Sequence, residues 1–90
     1  MKILKFGAVW CNGCLVMRPR FSQIEKEIPW LKTQYIDFDI DKQNVDKYKI
    51  NSGVLPVFIF LNKKEQEILR LSGEIEKSEL IKVITDHKDD

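Results

Sequence analysis

The sequence predicts one α/β domain, a four-stranded mixed sheet whose elements follow the order β-α-β-α-β-β-α. Three observations carry that expectation. Four short segments are apolar in an alternating or unbroken pattern, as strands are. Between them apolar residues step by threes and fours, as on helices. A polar turn separates the last two strands and marks a hairpin.

Each element has its own signal. Ile3 to Ala8 is short and mostly apolar, and reads as a buried strand. From Cys14, the residues Met17, Phe21, Ile24 and Ile28 form one helical stripe, which Pro29 and its neighbours end. From Gln34 to Ile40, apolar Ile36, Phe38 and Ile40 alternate with Tyr35, Asp37 and Asp39, the pattern of a half-buried strand. Asp41 suits the N-cap of a short helix through about Tyr48, and Asn51-Ser52-Gly53 reads as a loop. Val57 to Leu61 is unbroken Val, Phe, Ile and Leu, hence a central strand. Asn62-Lys63-Lys64 is a turn and Ile68 to Leu71 the return strand. Gly73 punctuates, and Leu80, Ile81, Val83 and Ile84 give the final helix its buried side. Two strand-helix-strand crossovers alone suggest three parallel strands, but the second helix is too short to force that, so the sheet is expected to be mixed. The domain is expected to span residues 1–85, with 86–90 a polar tail that frays.

Composition narrows the function classes. The 90 residues are 43% apolar and include five Phe, two Tyr and two Trp, enough for a core. Fifteen Lys+Arg against fourteen Asp+Glu give a net charge of +1, with no electrostatic pull toward nucleic acid or an anionic membrane. The apolar stretch from Val54 to Leu61 is far short of a membrane span. Lys5 interrupts the apolar amino end, so no secretory signal is expected, and the chain reads as soluble and cytoplasmic.

The two cysteines, as Cys11-Asn12-Gly13-Cys14, can neither build a disulfide framework nor alone supply four zinc ligands. A strand running straight into this motif and a helix puts Cys11 at the helix N-terminus, where unsatisfied amides favour a thiolate. Cys11 is therefore expected to be the more acidic and more exposed sulfur. Cys14 falls one turn inside, on the apolar stripe, where burial disfavours the anion. That asymmetry suits dithiol exchange, one sulfur attacking a disulfide and the other resolving the mixed disulfide. Two plainer readings stand beside it: an inert buried pair, and half of a zinc or iron–sulfur site shared between two chains.

Trp10-Cys11-Asn12-Gly13-Cys14 resembles the Trp-Cys-x-x-Cys site of the thioredoxin family. Three further features match in order: Pro19 resembles the family's helix-kinking proline, Leu55-Pro56-Val57 its cis-proline loop, and Gly73 the glycine before its final helix. The resemblance covers nearly the whole chain but starts late, without the family's first strand and helix, leaving a core nearer in size to the glutaredoxins. It implies a three-layer α/β/α fold and a thiol-disulfide oxidoreductase, most simply a protein-disulfide reductase. On that reading Cys11 attacks and Cys14 resolves, while Trp10, Asn12, Gly13, Leu55, Pro56 and Gly73 shape the substrate groove. A Leu-Pro bond needs only about 0.5–1 kcal/mol to become cis. Pro19, lacking an amide donor, bends the helix and sets how Cys11 is presented.

The sequence departs from the family pattern at two places. Lys5 stands where thioredoxins usually have a buried aspartate, and Asp37 falls where its partner lysine belongs. The expectation is a Lys5–Asp37 pair of reversed polarity, with Lys5 favouring a nearby thiolate and Asp37 acting as base through a water. The plainer alternative has Lys5 reaching solvent over apolar surface. Asn12-Gly13 replaces the usual Gly-Pro and carries no histidine, which by resemblance leans toward a reductant. The resemblance further implies no bound cofactor or metal beyond the Cys11–Cys14 disulfide. It implies disulfide-containing protein substrates and a thioredoxin-reductase-type flavoenzyme as electron donor. A sheet face covered only by the short helix leaves room for a weak homodimer as well as a monomer. The competing function is a binding module that keeps the fold and holds a partner around Trp10 and Pro56.

Overall fold

The computed structural model describes residues 1–90 and contains four strands and three helices. They are β1 (Lys2–Gly7), α1 (Asn12–Glu27), β2 (Lys32–Asp37), α2 (Lys42–Lys47), β3 (Val57–Leu61), β4 (Glu67–Ser72) and α3 (Lys77–Asp86). A single 3-10 turn, Ser52–Val54, precedes β3. The sheet order is β2-β1-β3-β4, with β1 and β2 parallel and the other two pairings antiparallel. This is the expected mixed sheet, with β3–β4 as its hairpin.

The strand period divides the core between two faces. Ile3, Phe58 and Phe60 meet Met17, Phe21 and Ile24 of α1 and Leu80 and Ile84 of α3. Leu4, Phe6, Ile36, Val57, Ile59 and Leu61 point the other way, toward Val45 of α2 and Ile50. Helices thus cover both faces and make three layers. All five residues of β3 are buried, because that strand lies inside the sheet with helices on both sides. Arg20 Nη1 donates to the Ile75 carbonyl at 2.5 Å, and Lys77 pairs with Glu27, so α1 and the entry to α3 are also fastened by polar contacts.

Several boundaries differ from the sequence expectation, each for a local reason. β2 begins at Lys32 and stops at Asp37, so Phe38 to Ile40 are turn and Ile40 is exposed. The Asp37 carboxylate accepts the amides of Asp39 (2.8 Å) and Ile40 (3.2 Å), and this side-chain turn replaces the sheet ladder. Asp41 caps α2 as expected, accepting the Asn44 amide at 3.1 Å, and the bonds from Asn44 hold its carboxyl below the usual aspartate value. Asn51 accepts the Gly53 amide at 3.0 Å and turns the expected loop into the 3-10 turn. At the carboxyl end α3 includes Asp86, and residues 87–89 continue as turns with His87, Lys88 and Asp90 amides all bonded. The tail expected to fray is therefore hydrogen-bonded.

Candidate functional site

The end of β1 delivers the chain to the site. Ala8 is fully buried, and its carbonyl accepts the Cys11 amide at 3.2 Å, turning the backbone into α1. Cys11 is the N-cap of that helix: its backbone is extended (φ −90°, ψ 114°), and its Sγ accepts the Cys14 amide at 3.2 Å. A sulfur thus takes the place of the usual capping oxygen. The first turn of α1 holds no acidic side chain of its own to offset the positive end of the helix dipole at Cys11. Cys11 and Cys14 are joined in a disulfide, with their Cα atoms 5.2 Å apart.

The expected difference in exposure between the two cysteines is absent. Both cysteines are 6% exposed, packed with Ala8 against half-buried Phe38 and Leu55. Phe38 and Leu55, from two neighbouring loops, pack on this cluster, and a sequence pattern confined to α1 does not register them. What distinguishes the two sulfurs is their backing: Cys11 sits at the helix tip, and Cys14 looks inward at Gly7, Tyr35 and the sheet.

The Leu55–Pro56 bond is cis, and Pro56 lies against the motif. A Cβ added at Gly13 would stand 3.0 Å from Pro56 Cδ, so only glycine leaves room for the ring. Pro56 is held in turn by Gly73, whose amide donates to its carbonyl at 2.8 Å and whose φ of +84° suits glycine. Cys11, Gly13, Cys14, Leu55, Pro56 and Gly73 are therefore brought together at this end of the sheet. Trp10 is 51% exposed; its ring stands edge-on to Phe38, and its indole N–H donates to Asp39 at 2.7 Å. Asn12 is exposed in the first turn of α1. Pro19 lies within α1 and is exposed. Exposed Val9, Leu15 and Val16 flank the motif in sequence, and exposed Val54 directly precedes Leu55-Pro56, each adding apolar surface.

The expected Lys5–Asp37 pair does not form. Lys5 aligns with Tyr35, not Asp37, in the parallel ladder, and its ammonium meets Glu25 of α1 at 2.8 Å, lying 5.4 Å from the centre of the Phe21 ring. Asp37, at the strand end, spends its carboxylate on the turn amides. The stem of Lys5 does cover apolar surface, but its head ends on a carboxylate rather than in open solvent.

Tyr35 is the group that sequence reasoning missed. Its Cε1 lies 3.1 Å, and its hydroxyl 3.5 Å, from the point where a Gly7 Cβ would be, and Cys14 Sγ lies 3.1 Å from that same point. Partial burial, and next the charge of Asp37, push its phenol above the usual tyrosine value, with Arg18 opposing. Pairing the two parallel strands in register from Lys2 and Lys32 places Tyr35 beside Lys5, and that register was the missing signal. No cluster of three or more His, Cys, Asp or Glu side chains converges as metal ligands, and no helix is long and apolar enough to cross a membrane.

Comparison with known proteins gives one consistent answer. The family model described as Thioredoxin matches residues 1–86. The chain is 33% identical over 85 residues to an H-type thioredoxin of Fagopyrum esculentum, covering 94% of this chain and 70% of that protein. It is 29% identical to a thioredoxin of Chlamydia trachomatis, covering 96% of this chain and 81% of the relative. Among solved structures, Fasciola hepatica thioredoxin superposes with a TM-score of 0.85 at 30% identity, over 96% of this chain and 79% of that one. Thioredoxin 1 of Thermosipho africanus gives a TM-score of 0.82 at 27% identity, over 98% and 94% of the two chains.

Proposed function

The chain belongs to the thioredoxin family, and from that premise we propose that it reduces the disulfides of other proteins in the cytoplasm by dithiol exchange through Cys11 and Cys14. With its Cys-x-x-Cys pair it is a thiol-disulfide oxidoreductase whose redox group is its own disulfide. The observation that carries the finer reading is the placement of Cys11 Sγ as the cap of α1, on the Cys14 amide and beside Pro56 and Trp10.

In the forward direction both cysteines start reduced. The Cys11 thiolate, favoured by the helix amides, attacks one sulfur of a substrate disulfide and releases the other as a thiolate. Cys14 then loses its proton and bonds to Cys11, the Cys11–substrate bond breaks, and the second substrate sulfur leaves and takes up a proton. Two electrons pass to the substrate and the Cys11–Cys14 disulfide returns. A thioredoxin-reductase-type flavoenzyme supplies the electrons for the next cycle. Pro56, held by Gly73, and the exposed ring of Trp10 line the approach of the substrate chain.

The test is trapping. Cys14→Ser incubated with a disulfide-bonded protein accumulates a covalent adduct that a thiol reductant releases, whereas Cys11→Ser forms none. Equal adducts from both variants, or none from either, overturn the assignment. Equilibration of the parent chain against a glutathione buffer then gives its potential, and a value near −270 mV fits a reductant whereas one near −120 mV fits an oxidant, on the scale of about 30 mV per 1.4 kcal/mol.

A further inference from the structure

Behind Cys14 the sheet presents a row of three unlike side chains. Tyr35 of β2, Lys5 of β1 and Phe58 of β3 are register partners across three strands, on the face that α1 covers. Between that row and Cys14 and Arg18 of α1 lies a cavity of about 40 Å³. Gly7 keeps it open: a Cβ there would crowd Cys14 Sγ and the Tyr35 ring, each at 3.1 Å. The space exceeds the roughly 10–15 Å³ that one water needs, and Tyr35, Lys5 and Arg18 are among the residues that line it.

We propose that Lys5 and Tyr35 are positioning residues for Cys14, stabilising its thiolate through a water held in this cavity. The reading rests on the dithiol exchange proposed above and adds the groups that serve its second step. In that step the Cys14 thiol gives its proton to solvent, its sulfur joins Cys11, and the substrate thiolate departs. Lys5 from β1 and Arg18 from α1 line the same cavity as Cys14, so their positive charges act on an anion that develops there. Two carboxylates temper that field, Glu25 of α1 bonded to Lys5 and Asp37 of β2 beside Tyr35. The Tyr35 phenol is pushed up by burial and by Asp37, so the hydroxyl keeps its proton, and stays a donor, throughout the range in which thiols ionise. Stabilising this thiolate also favours the dithiol over the disulfide, so the couple becomes more oxidising than the cysteine motif alone would make it.

The experiment uses Cys11→Ser as background, leaving Cys14 as the one thiol, and follows thiolate ultraviolet absorbance against pH. Tyr35→Phe removes only the hydroxyl; Lys5→Met is made together with Glu25→Gln so that no unpaired carboxylate remains at the cavity. Each is expected to raise the Cys14 titration midpoint by about half to one pH unit, while Lys5→Arg keeps the parent value. Midpoints unchanged in Tyr35→Phe and in the Lys5→Met pair overturn the proposal, as does a Lys5→Arg shift equal to that of Lys5→Met, which would reveal a packing effect. The titration requires no substrate, so it stands apart from the trapping test: a chain that traps nothing can still show the shift, and a trapping chain can lack it.

Discussion

The Trp10 indole N–H donates to the Asp39 carboxylate at 2.7 Å, across 29 residues of sequence, and fixes the ring edge-on to Phe38 beside the disulfide. A half-exposed aromatic ring so anchored keeps one orientation for a substrate to meet. Asp39→Ala frees the ring. If the tether contributes about 1 kcal/mol to a fixed docking surface, KM for a protein disulfide rises roughly fivefold with kcat little changed. Steady-state kinetics decide it, and an unchanged KM would show that the substrate does not depend on the tether.

Gly13→Ala is expected to disturb catalysis more than folding. The added methyl would stand 3.0 Å from Pro56 Cδ, part of a closed ring that Gly73 holds from behind. The loop must shift away from the sulfurs, at an overpacking cost of about 1–3 kcal/mol. Because small displacements of reacting groups are costly, kcat/KM is expected to fall by about tenfold or more. Parent-like kcat/KM with a normal unfolding curve would show that the proline is free to give way.

Phe60→Ala tests the core. Phe60 is fully buried between α1 and α3 on the central strand β3, a site where the walls cannot collapse onto a lost ring. A loss of about 3–5 kcal/mol is expected, read as a lower urea midpoint. A change under 1 kcal/mol would mean that neighbouring Phe21 and Phe58 refill the space.

Acid sensitivity of the hairpin follows from Glu67 and Arg70, which form two bonds of 2.7 Å each. The Arg70 guanidinium holds the Glu67 carboxyl below its ordinary value, against a smaller effect of burial. A lowered folded-state value means that the stabilisation is complete above the ordinary glutamate pKa and is lost as pH falls through the folded value. Below about pH 4 the parent therefore loses this increment, whereas Glu67→Gln lacks it at every pH. The pair is largely exposed, so the difference is expected to stay under about 1 kcal/mol. Thermal unfolding of both chains across the acid range checks it, and parallel curves would remove Glu67 from the account.

Most of the architecture was legible because it is written in local periods. The stripe from Cys14 to Ile24, the unbroken run from Val57 to Leu61 and the turn after it each carry their own signal. The convergence of the motif with Pro56 and Gly73 came from the family resemblance, which supplies the long-range pairing that periodicity lacks. What stayed hidden depends on partners remote in sequence. Alternation carried the strand on to Ile40, but the Asp37 side chain captures the next amides and stops it. Cys11 is buried although its own helix predicts exposure, since Phe38 and Leu55 from other segments pack on the cysteine cluster. Lys5 was matched to Asp37 by family position, whereas the register puts it beside Tyr35 and the helix offers Glu25 first.

One of the two edge strands, β2, has a further consequence for how the molecule lives among its own copies. Its far rim has no neighbouring strand, yet its sequence opens Lys32-Thr33-Gln34, with the lysine and glutamine exposed. A cationic, polar rim is a poor template for another chain to zip onto, which guards a small sheet protein against growing into fibrils.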